Sequence, residues 1–232
     1  MSFILDFLFP KKCVGCKKPD TYFCAGCVSN ILQKELVCPI CERSAMGGQT
    51  HPICKSRFGL DGLWNLGIYK NPLRSAIQTL KYRRVRGLAE VLADIILEYW
   101  IKYQPFILDK IKRDKRKGWM IIPVPLYFWR ENSRGFNQSS LVGQILSKSL
   151  GLDYCDALKR IRYTKSQVKL KSKDRQKNIK NAFAVSKPYT LDPKPYILLI
   201  DDVWTTGSTL KECCCVLKRA GAKSVWAITL AR

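Results

Sequence analysis

The stretch that decides the fold is YILLIDDVWTTGSTL, residues 196–210. Its first half is a short apolar run rich in β-branched residues, which is typical of a strand buried on both faces. The run ends in Asp201 and Asp202, and a hydroxyl-rich turn at residues 205–209 precedes a helical pattern over residues 210–220. The N–H groups of such a turn and the helix N-terminus favour an anion. Paired carboxylates accept hydrogen bonds from vicinal hydroxyls or help to hold a metal ion. The stretch therefore predicts a phosphate site beside a polyol site.

A plain strand, turn and helix with a hydroxyl N-cap is the alternative interpretation of the same residues. Two adjacent aspartates at the end of a buried strand, however, cost free energy unless a partner offsets their charge. We therefore interpret the segment as a ligand site. Its candidate residues are Asp201, Asp202, Thr205, Thr206, Gly207, Ser208 and Thr209.

The charge balance points to a polyanionic partner. The 232 residues include 41 lysines and arginines against 18 acids, which gives a formal net charge of +23. Such an excess is typical of proteins that bind nucleic acid or an anionic membrane surface, and general solubility is the alternative. The apolar fraction of 47% and the chain length suit one substantial domain with a small module.

No apolar run approaches the roughly 18–20 residues that a membrane-spanning helix needs. The apolar residues at positions 3–9 are too few for the core of a signal peptide and have no basic segment before them. The sequence therefore predicts a cytoplasmic chain, which could lie peripherally at the inner face of the membrane.

The cysteine spacing predicts metal sites rather than disulfides. Three Cys-x-x-Cys pairs precede a His-x-x-Cys pair, and two such pairs complete a tetrahedral zinc site. Pairing neighbours along the chain gives a double zinc ribbon, although joining the first pair to the third fits the spacing too. We expect structural zinc, because no ligand position is open and the region has too few apolar residues to fold without metal. The candidate ligands are Cys13, Cys16, Cys24, Cys27, Cys38, Cys41, His51 and Cys54.

Strand and helix patterns alternate through the rest of the chain. Lysines and arginines dominate residues 110–117, which predicts a charged loop. Strands are predicted at residues 66–69, 119–125, 181–185 and 224–230, and helices at residues 73–82, 88–103 and 138–150.

Two polar segments carry groups that suit a pyrophosphate. In RGFNQ, residues 134–138, Arg134 lies beside a helix start that Asn137 can cap, and Gly135 permits close approach of a ligand. Residues 159–180 hold ten basic residues against one acid, which predicts a mobile loop able to close over a ligand. A solvated linker is the alternative for most of its lysines. The candidate groups of this loop are Arg160, Arg162, Gln167, Arg175 and Asn178.

DDVWTTGST at residues 201–209 resembles the phosphoribosyl pyrophosphate (PRPP) motif of type I phosphoribosyltransferases. Nearly the whole chain resembles the ComF family, phosphoribosyltransferase-like proteins linked to bacterial competence. Two departures are His51, in place of a usual cysteine, and Trp204, in place of a small or aliphatic residue. We expect Trp204 to change a side chain over the ligand rather than the phosphate contacts. Besides the PRPP motif and the cysteine pairs, the resemblance is carried by LKYR at 80–83, PVPL at 123–126, RGFNQ at 134–138, R-x-R-x-T-x-x-Q at 160–167 and R-x-x-N at 175–178.

The resemblance implies an α/β type I phosphoribosyltransferase fold, a mostly parallel sheet flanked by helices, at residues 59–232. A small zinc-ribbon module is implied at residues 1–58. Asp201 and Asp202 would face the ribose hydroxyls and the turn at 205–209 the 5′-phosphate, while the segments that begin at Arg134 and Arg160 would lie near the pyrophosphate. A Mg²⁺ ion, held largely by the ligand and water, is implied as well.

Two functions fit these features. The first is a protein that binds PRPP or a nucleotide, acts in DNA uptake for natural transformation, and holds single-stranded DNA on basic loops. Tyr82, Phe136 and Tyr163 could stack on bases there. The alternative is an active Mg²⁺-dependent phosphoribosyltransferase with an unidentified nucleobase or amine acceptor. We favour binding, because an enzyme alone would not need so much positive charge. The resemblance also implies DNA-uptake machinery, or a helicase at the inner membrane, as a partner.

Overall fold

A computed structural model describes residues 11–83, 85–113, 118–164, 172–186 and 195–232, without the side chains of residues 172, 173, 175 and 176. Its centre is a five-stranded parallel sheet in the order β1-β7-β6-β2-β3, and β4 and β5 pair antiparallel outside it. The strands are β1 (Gly62–Gly67), β2 (Trp119–Pro123), β3 (Asp153–Tyr154), β4 (Leu158–Arg160), β5 (Phe183–Val185), β6 (Tyr196–Val203) and β7 (Ser224–Ala231).

Strand β6 occupies the middle of the sheet because both of its faces are apolar. Ile197 and Leu199 face one layer of the core, and Leu198 and Ile200 face the other. All four side chains are at most 2% exposed. Strands β7 and β2 flank it, with Ile200 opposite Ile228 in β7. The prediction of a strand buried on both faces and leading into the two acids is confirmed.

Helices cover both faces of the sheet, as predicted for an α/β fold. Helices α2, α3 and α6 share the core of Leu198 and Ile200, whereas α8 and the β4–β5 pair share the core of Ile197 and Leu199. The helices are α1 (Ala25–Ser29), α2 (Leu73–Tyr82), α3 (Gly87–Tyr103), α4 (Pro105–Arg113), α5 (Phe128–Arg134), α6 (Gln138–Leu150), α7 (Ser172–Ile179) and α8 (Ser208–Arg219), with 3₁₀ turns at Met46–Gly48 and Pro52–Cys54.

The cysteine-rich segment packs against the layer formed by α2 and α3. Val14, Phe23 and Ile31 belong to the same cluster of buried side chains as Leu73 and Leu88. Apolar contact therefore joins this segment to the body of the protein. The division into domains at residues 1–58 and 59–232 stays a prediction.

Two predicted elements lie elsewhere along the chain. The first strand is Gly62–Gly67 rather than residues 66–69, because this stretch is buried throughout and pairs with β7, from Gly62 opposite Trp226 to Gly67 opposite Ala231. Helix α4 extends into the charged loop predicted at residues 110–117, since Ile107 and Ile111 bury one side of it.

The loop predicted at residues 159–180 is partly regular. Strand β4 begins it and α7 ends it, while residues 165–171 lie outside the described part of the chain. Among the helices that the structure describes, none has the length and apolar character needed to cross a bilayer.

Candidate phosphate-binding cleft and metal centres

A cleft of about 220 Å³ opens where β6 ends and α8 begins. Ligands of α/β proteins bind at this edge, outside the carboxyl ends of the parallel strands. Helix α8 has no acid in its first turn, so its partial positive charge faces the cleft without an internal counter-charge. Six of the seven residues predicted for the phosphate and polyol site line it: Asp201, Asp202, Thr205, Gly207, Ser208 and Thr209.

The turn before α8 is built on a glycine and a buried indole. Gly207 has φ 68° and ψ 6°, and a Cβ there would lie 2.2 Å from the Trp204 ring. Trp204 is 2% exposed and packs beneath the turn. The expectation that Trp204 places a side chain over the ligand was therefore wrong. Thr206, the seventh predicted residue, supports the turn instead of lining the cleft, with its Oγ1 2.7 Å from Ser208 Oγ.

The two carboxylates on the floor of the cleft have different surroundings. Asp202 Oδ1 lies 2.8 Å from Lys81 Nζ. Burial opposes the charge on Lys81, but the carboxylate of Asp202 outweighs it and raises the pKa of Lys81. Asp201 Oδ1 accepts hydrogen bonds from the N–H of Asp202 at 2.8 Å and from Ser139 Oγ at 3.4 Å. Burial, and then the charge of Asp202, raise the pKa of Asp201 to about 7. One acid is thus paired with a cation, and the other accepts a proton near neutral pH.

Three guanidinium groups line the same cleft, those of Arg130, Arg134 and Arg160. Arg130 donates to the carbonyl of Thr164 at 2.8 Å, and Arg134 donates to Gln138 Oε1 at 3.1 Å. Arg160 donates to the hydroxyl of Thr164. Burial, and then the charge of Arg130, lower the pKa of Arg160 to about 10, so Arg160 remains cationic at neutral pH. The arrangement suits an anion with several charges.

The predicted RGFNQ segment contributes Arg134 to the cleft, whereas its other candidate residues, Gly135 and Asn137, shape the ends of helices. Asn137 caps α6: its side chain accepts from the N–H of Ser139 and donates to the carbonyl of Val124, both at 3.0 Å. Gly135 ends α5 in the left-handed conformation, with φ 77°. Phe136 is 7% exposed, so the suggestion that it stacks on bases was wrong.

The candidates of the 159–180 segment are divided in the same way. Arg160 reaches the cleft, but Arg162 donates to the carbonyls of Asn178 and Lys180 at 3.0 and 2.7 Å. Arg162 therefore joins the segment after β4 to the end of α7. Gln167 and the side chain of Arg175 lie outside the described part of the structure.

Sequence reasoning gave no role to two cationic lining residues, Lys81 and Arg130, and it assigned Tyr82 to base stacking rather than to this cleft. Lys81 and Tyr82 belong to LKYR at residues 80–83, which carried part of the family resemblance. A cationic residue followed by an exposed tyrosine at a helix end was the available signal. Arg130 stands in no motif that the sequence analysis identified.

The metal candidates form two groups, and each joins two pairs that are neighbours along the chain. In the first group Cys24 Sγ lies 3.7 Å from Cys13 Sγ and 3.6 Å from Cys16 Sγ. Tetrahedral zinc with Zn–S bonds of about 2.3 Å separates its sulfurs by about 3.8 Å, so the spacing fits. This group could hold zinc. Its members are Cys13, Cys16, Cys24 and Cys27, whose ligand atoms all lie within 4.8 Å of one another.

The second group includes the histidine predicted as a ligand. His51 Nδ1 lies 3.3 Å from Cys41 Sγ, and Nε2 lies 3.0 Å from the carbonyl oxygen of Ser44. Because a carbonyl can only accept, Nε2 carries the proton and the Nδ1 lone pair points toward the thiols. Hydrogen bonds from Arg43 lower the pKa of Cys41 to about 6, which favours the thiolate that zinc needs. This group could also hold zinc, with the members Cys38, Cys41, His51 and Cys54.

Comparison with known proteins finds relatives along nearly the whole chain. Competence protein F of Haemophilus influenzae is 31% identical over 223 residues, which cover 95% of this chain and 90% of the relative. DNA utilization protein YhgH of Salmonella typhimurium is 30% identical over 234 residues, covering 96% and 97%. Competence protein ComFC of Bacillus subtilis is 25% identical over 228 residues, covering 93% and 86%. No protein-family model matches the sequence.

Proposed function

The chain belongs to the ComF family, and from that premise we propose that its cleft binds PRPP or a nucleotide with the same phosphate and ribose groups. The observation that carries the proposal is the convergence on one cleft of two acids, the N-terminus of α8 and three guanidinium groups. Few ligands other than a phosphorylated sugar present hydroxyls to the acids and phosphates to the other groups at the same time.

Each part of the ligand has a counterpart in the cleft. The turn at residues 205–209 and the N-terminus of α8 receive the 5′-phosphate. Asp201 and Asp202 accept hydrogen bonds from the ribose hydroxyls. The pyrophosphate lies against the guanidinium groups of Arg130, Arg134 and Arg160, each of which lines the cleft.

Carboxylate oxygens suit Mg²⁺, so the residues present fit the ion that accompanies PRPP. Because Lys81 already pairs with Asp202, the ion would be held largely by ligand oxygens and water, with the acids contacting it through them. When bound, the ion neutralises part of the pyrophosphate charge.

The wider role proposed for the chain is in DNA uptake. Its relatives carry the names competence protein and DNA utilization protein. A net charge of +23 suits a chain that neutralises a phosphate backbone, so single-stranded DNA is the proposed macromolecular partner. Proteins of the DNA-uptake machinery are further proposed partners, on the cytoplasmic side of the membrane.

Calorimetric titration with PRPP and Mg²⁺ tests the ligand. Wild type is expected to bind at one site, and Asp202→Asn is expected to weaken affinity about tenfold or more, since the amide keeps only one acceptor oxygen and loses the negative charge that strengthens hydrogen bonds from the ribose hydroxyls. Lys81→Met should also weaken it, because it leaves Asp202 without its cation. Lys102→Met, a charge removal on α3 outside the cleft, is the control and should bind normally. Absence of both PRPP and nucleotide binding by wild type would exclude the proposal.

The second candidate function is Mg²⁺-dependent phosphoribosyl transfer. It is favoured by the three guanidinium groups, because a departing pyrophosphate needs electrostatic stabilisation as the C1–O bond breaks. A nucleobase or amine nitrogen would form the new bond to C1, and pyrophosphate would leave. Pyrophosphate release with a panel of such acceptors, absent from Asp202→Asn, is the expected result. If the protein binds PRPP tightly but releases no pyrophosphate with any acceptor, the transferase function is excluded and only the binding function remains.

A further inference from the structure

Five aromatic side chains lie in the cleft lining or on and beside the elements that carry its guanidinium groups, and we call them the aromatic rim. Phe128 and Trp129 begin α5, the helix that also places Arg130 and Arg134 in the cleft lining. Trp129 is 68% exposed and Phe128 64% exposed, although large apolar side chains are usually covered. The members of the rim are Tyr82, Tyr127, Phe128, Trp129 and Tyr163.

Contacts join the rim to the cationic groups of the cleft. The Arg134 guanidinium lies 5.4 Å from the centre of the Tyr82 ring. The rings of Tyr127 and Tyr163 meet edge to face at 5.5 Å. Arg130 donates to the carbonyl of the residue after Tyr163, which holds that tyrosine beside α5. The rim and the cleft therefore share two guanidinium groups.

Given the proposed binding of PRPP in the cleft, we propose that single-stranded nucleic acid lies across the aromatic rim and competes with PRPP for Arg130 and Arg134. Bases of the strand stack on the exposed rings, and a strand phosphate occupies the mouth of the cleft where the pyrophosphate of PRPP would lie. Occupation of the cleft by PRPP thus releases the strand, and the strand weakens PRPP binding by the same factor.

The chemistry of the surface favours this occupant. Exposed aromatic faces next to guanidinium groups are the combination that holds unpaired bases and a phosphate backbone, whereas bases inside a duplex offer no free face. A purely apolar protein surface would leave Arg130 and Arg134 without counter-charge. The one acid of α5, Glu131, is exposed. Its change to glutamine should strengthen strand binding slightly, because it removes repulsion of the phosphates.

The first experiment measures fluorescence anisotropy of a labelled oligothymidylate with the full-length protein. Trp129→Ala and Tyr163→Ala should each weaken binding by about five- to hundred-fold, the range for loss of one stacked base. Tyr103→Ala is the matched control: Tyr103 has the same 58% exposure as Tyr163 and lies next to a lysine, but it lines a different groove, against α1. Its affinity should be unchanged. If all three variants lose affinity for the strand equally, or if none does, the strand does not bind at the aromatic rim.

The second experiment adds PRPP with Mg²⁺ to the preformed complex. Strand affinity should fall about tenfold or more, and sulfate at equal ionic strength should cause a much smaller change. Trp129→Ala should still bind PRPP like wild type when no strand is present. If PRPP and the strand bind simultaneously and independently, they do not share the mouth of the cleft. That result would refute the competition but not the proposed binding of PRPP. If wild type binds no strand, or if Trp129→Ala changes only self-association in sedimentation, the rim is not a nucleic-acid surface.

Discussion

Asp201 is a half-buried acid whose ionised form is costly before a ligand arrives. Burial and the neighbouring Asp202 raise its pKa from the ordinary 3.8 to about 7. Between these values the folded protein binds more protons at this group than the unfolded chain does. The contribution of Asp201 to the free energy of unfolding is therefore greatest below about pH 4 and falls as the pH rises to 7.

Replacing this acid with its neutral isostere should stabilise the ligand-free protein at high pH. We expect Asp201→Asn to raise the free energy of unfolding by about 1–3 kcal/mol at pH 8, because it removes a charge that desolvation and the neighbouring Asp202 disfavour. The gain should shrink toward zero at pH 5, where Asp201 is already protonated. Urea unfolding at four pH values checks this. Asp153→Asn, at an exposed acid of β3, is the control. If the difference in the free energy of unfolding between Asp201→Asn and wild type does not change with pH, the pKa of Asp201 is not raised.

The turn between β6 and α8 depends on two residues that approach each other closely. Gly207 supplies the left-handed φ of 68°, and its missing Cβ leaves space for the Trp204 ring. A side chain at this position would meet both backbone strain and an immovable indole. The turn proposed to bind phosphate is thus supported from below by the core rather than by its own hydrogen bonds alone.

Gly207→Ala should destabilise the protein by about 2–4 kcal/mol and reduce PRPP affinity, since the turn must shift away from Trp204. Gly135→Ala is the matched control. Gly135 also has a positive φ, 77°, but nothing lies within 4 Å of where its Cβ would be. Its replacement should cost only about 1–2 kcal/mol, the strain alone. Thermal unfolding and PRPP titration distinguish the two, and equal losses would show that contact with Trp204 is unimportant.

The two cysteine-rich groups should each retain one zinc ion. Metal analysis of the purified wild-type protein is expected to find two zinc ions per chain. His51→Ala should retain one ion, whereas His51→Cys should retain two, because a thiolate restores the fourth ligand. Cys215→Ala, on α8 outside both groups, should keep two. Strong chelation should unfold the N-terminal segment, because its described residues, 11–58, form only the short helix α1, two 3₁₀ turns and isolated β-bridges. A metal content unaffected by His51→Ala would remove the histidine from the site.

At the scale of the whole molecule, we expect the excess positive charge to strengthen association with polyanions. If about three to four strand phosphates are neutralised, affinity for single-stranded DNA should fall about 20- to 50-fold between 50 and 200 mM salt. Anisotropy titrations over that range measure the slope. Binding that is insensitive to salt would mean that stacking alone holds the strand, and that the net charge of +23 has another cause.

The sequence by itself determined the central strand, the acids at its end, the tight turn that follows them and the eight candidate metal ligands. These features are local, because the period of an apolar strand, the residues of a tight turn and the spacing of ligand pairs all lie within short segments. The pairing of neighbouring cysteine pairs needed the structure, since two arrangements fitted the spacing.

Only the tertiary structure showed that Lys81 and Arg130 join Arg134 and Arg160 in the cleft. Lys81 pairs with Asp202 from the end of α2, and Arg130 arrives from α5, whereas Arg162 in the predicted loop is held by carbonyl groups. Trp204, adjacent to the acids in sequence, lies buried beneath the turn. The order of strands in the sheet brings distant segments together at one edge, and no local pattern specifies that order.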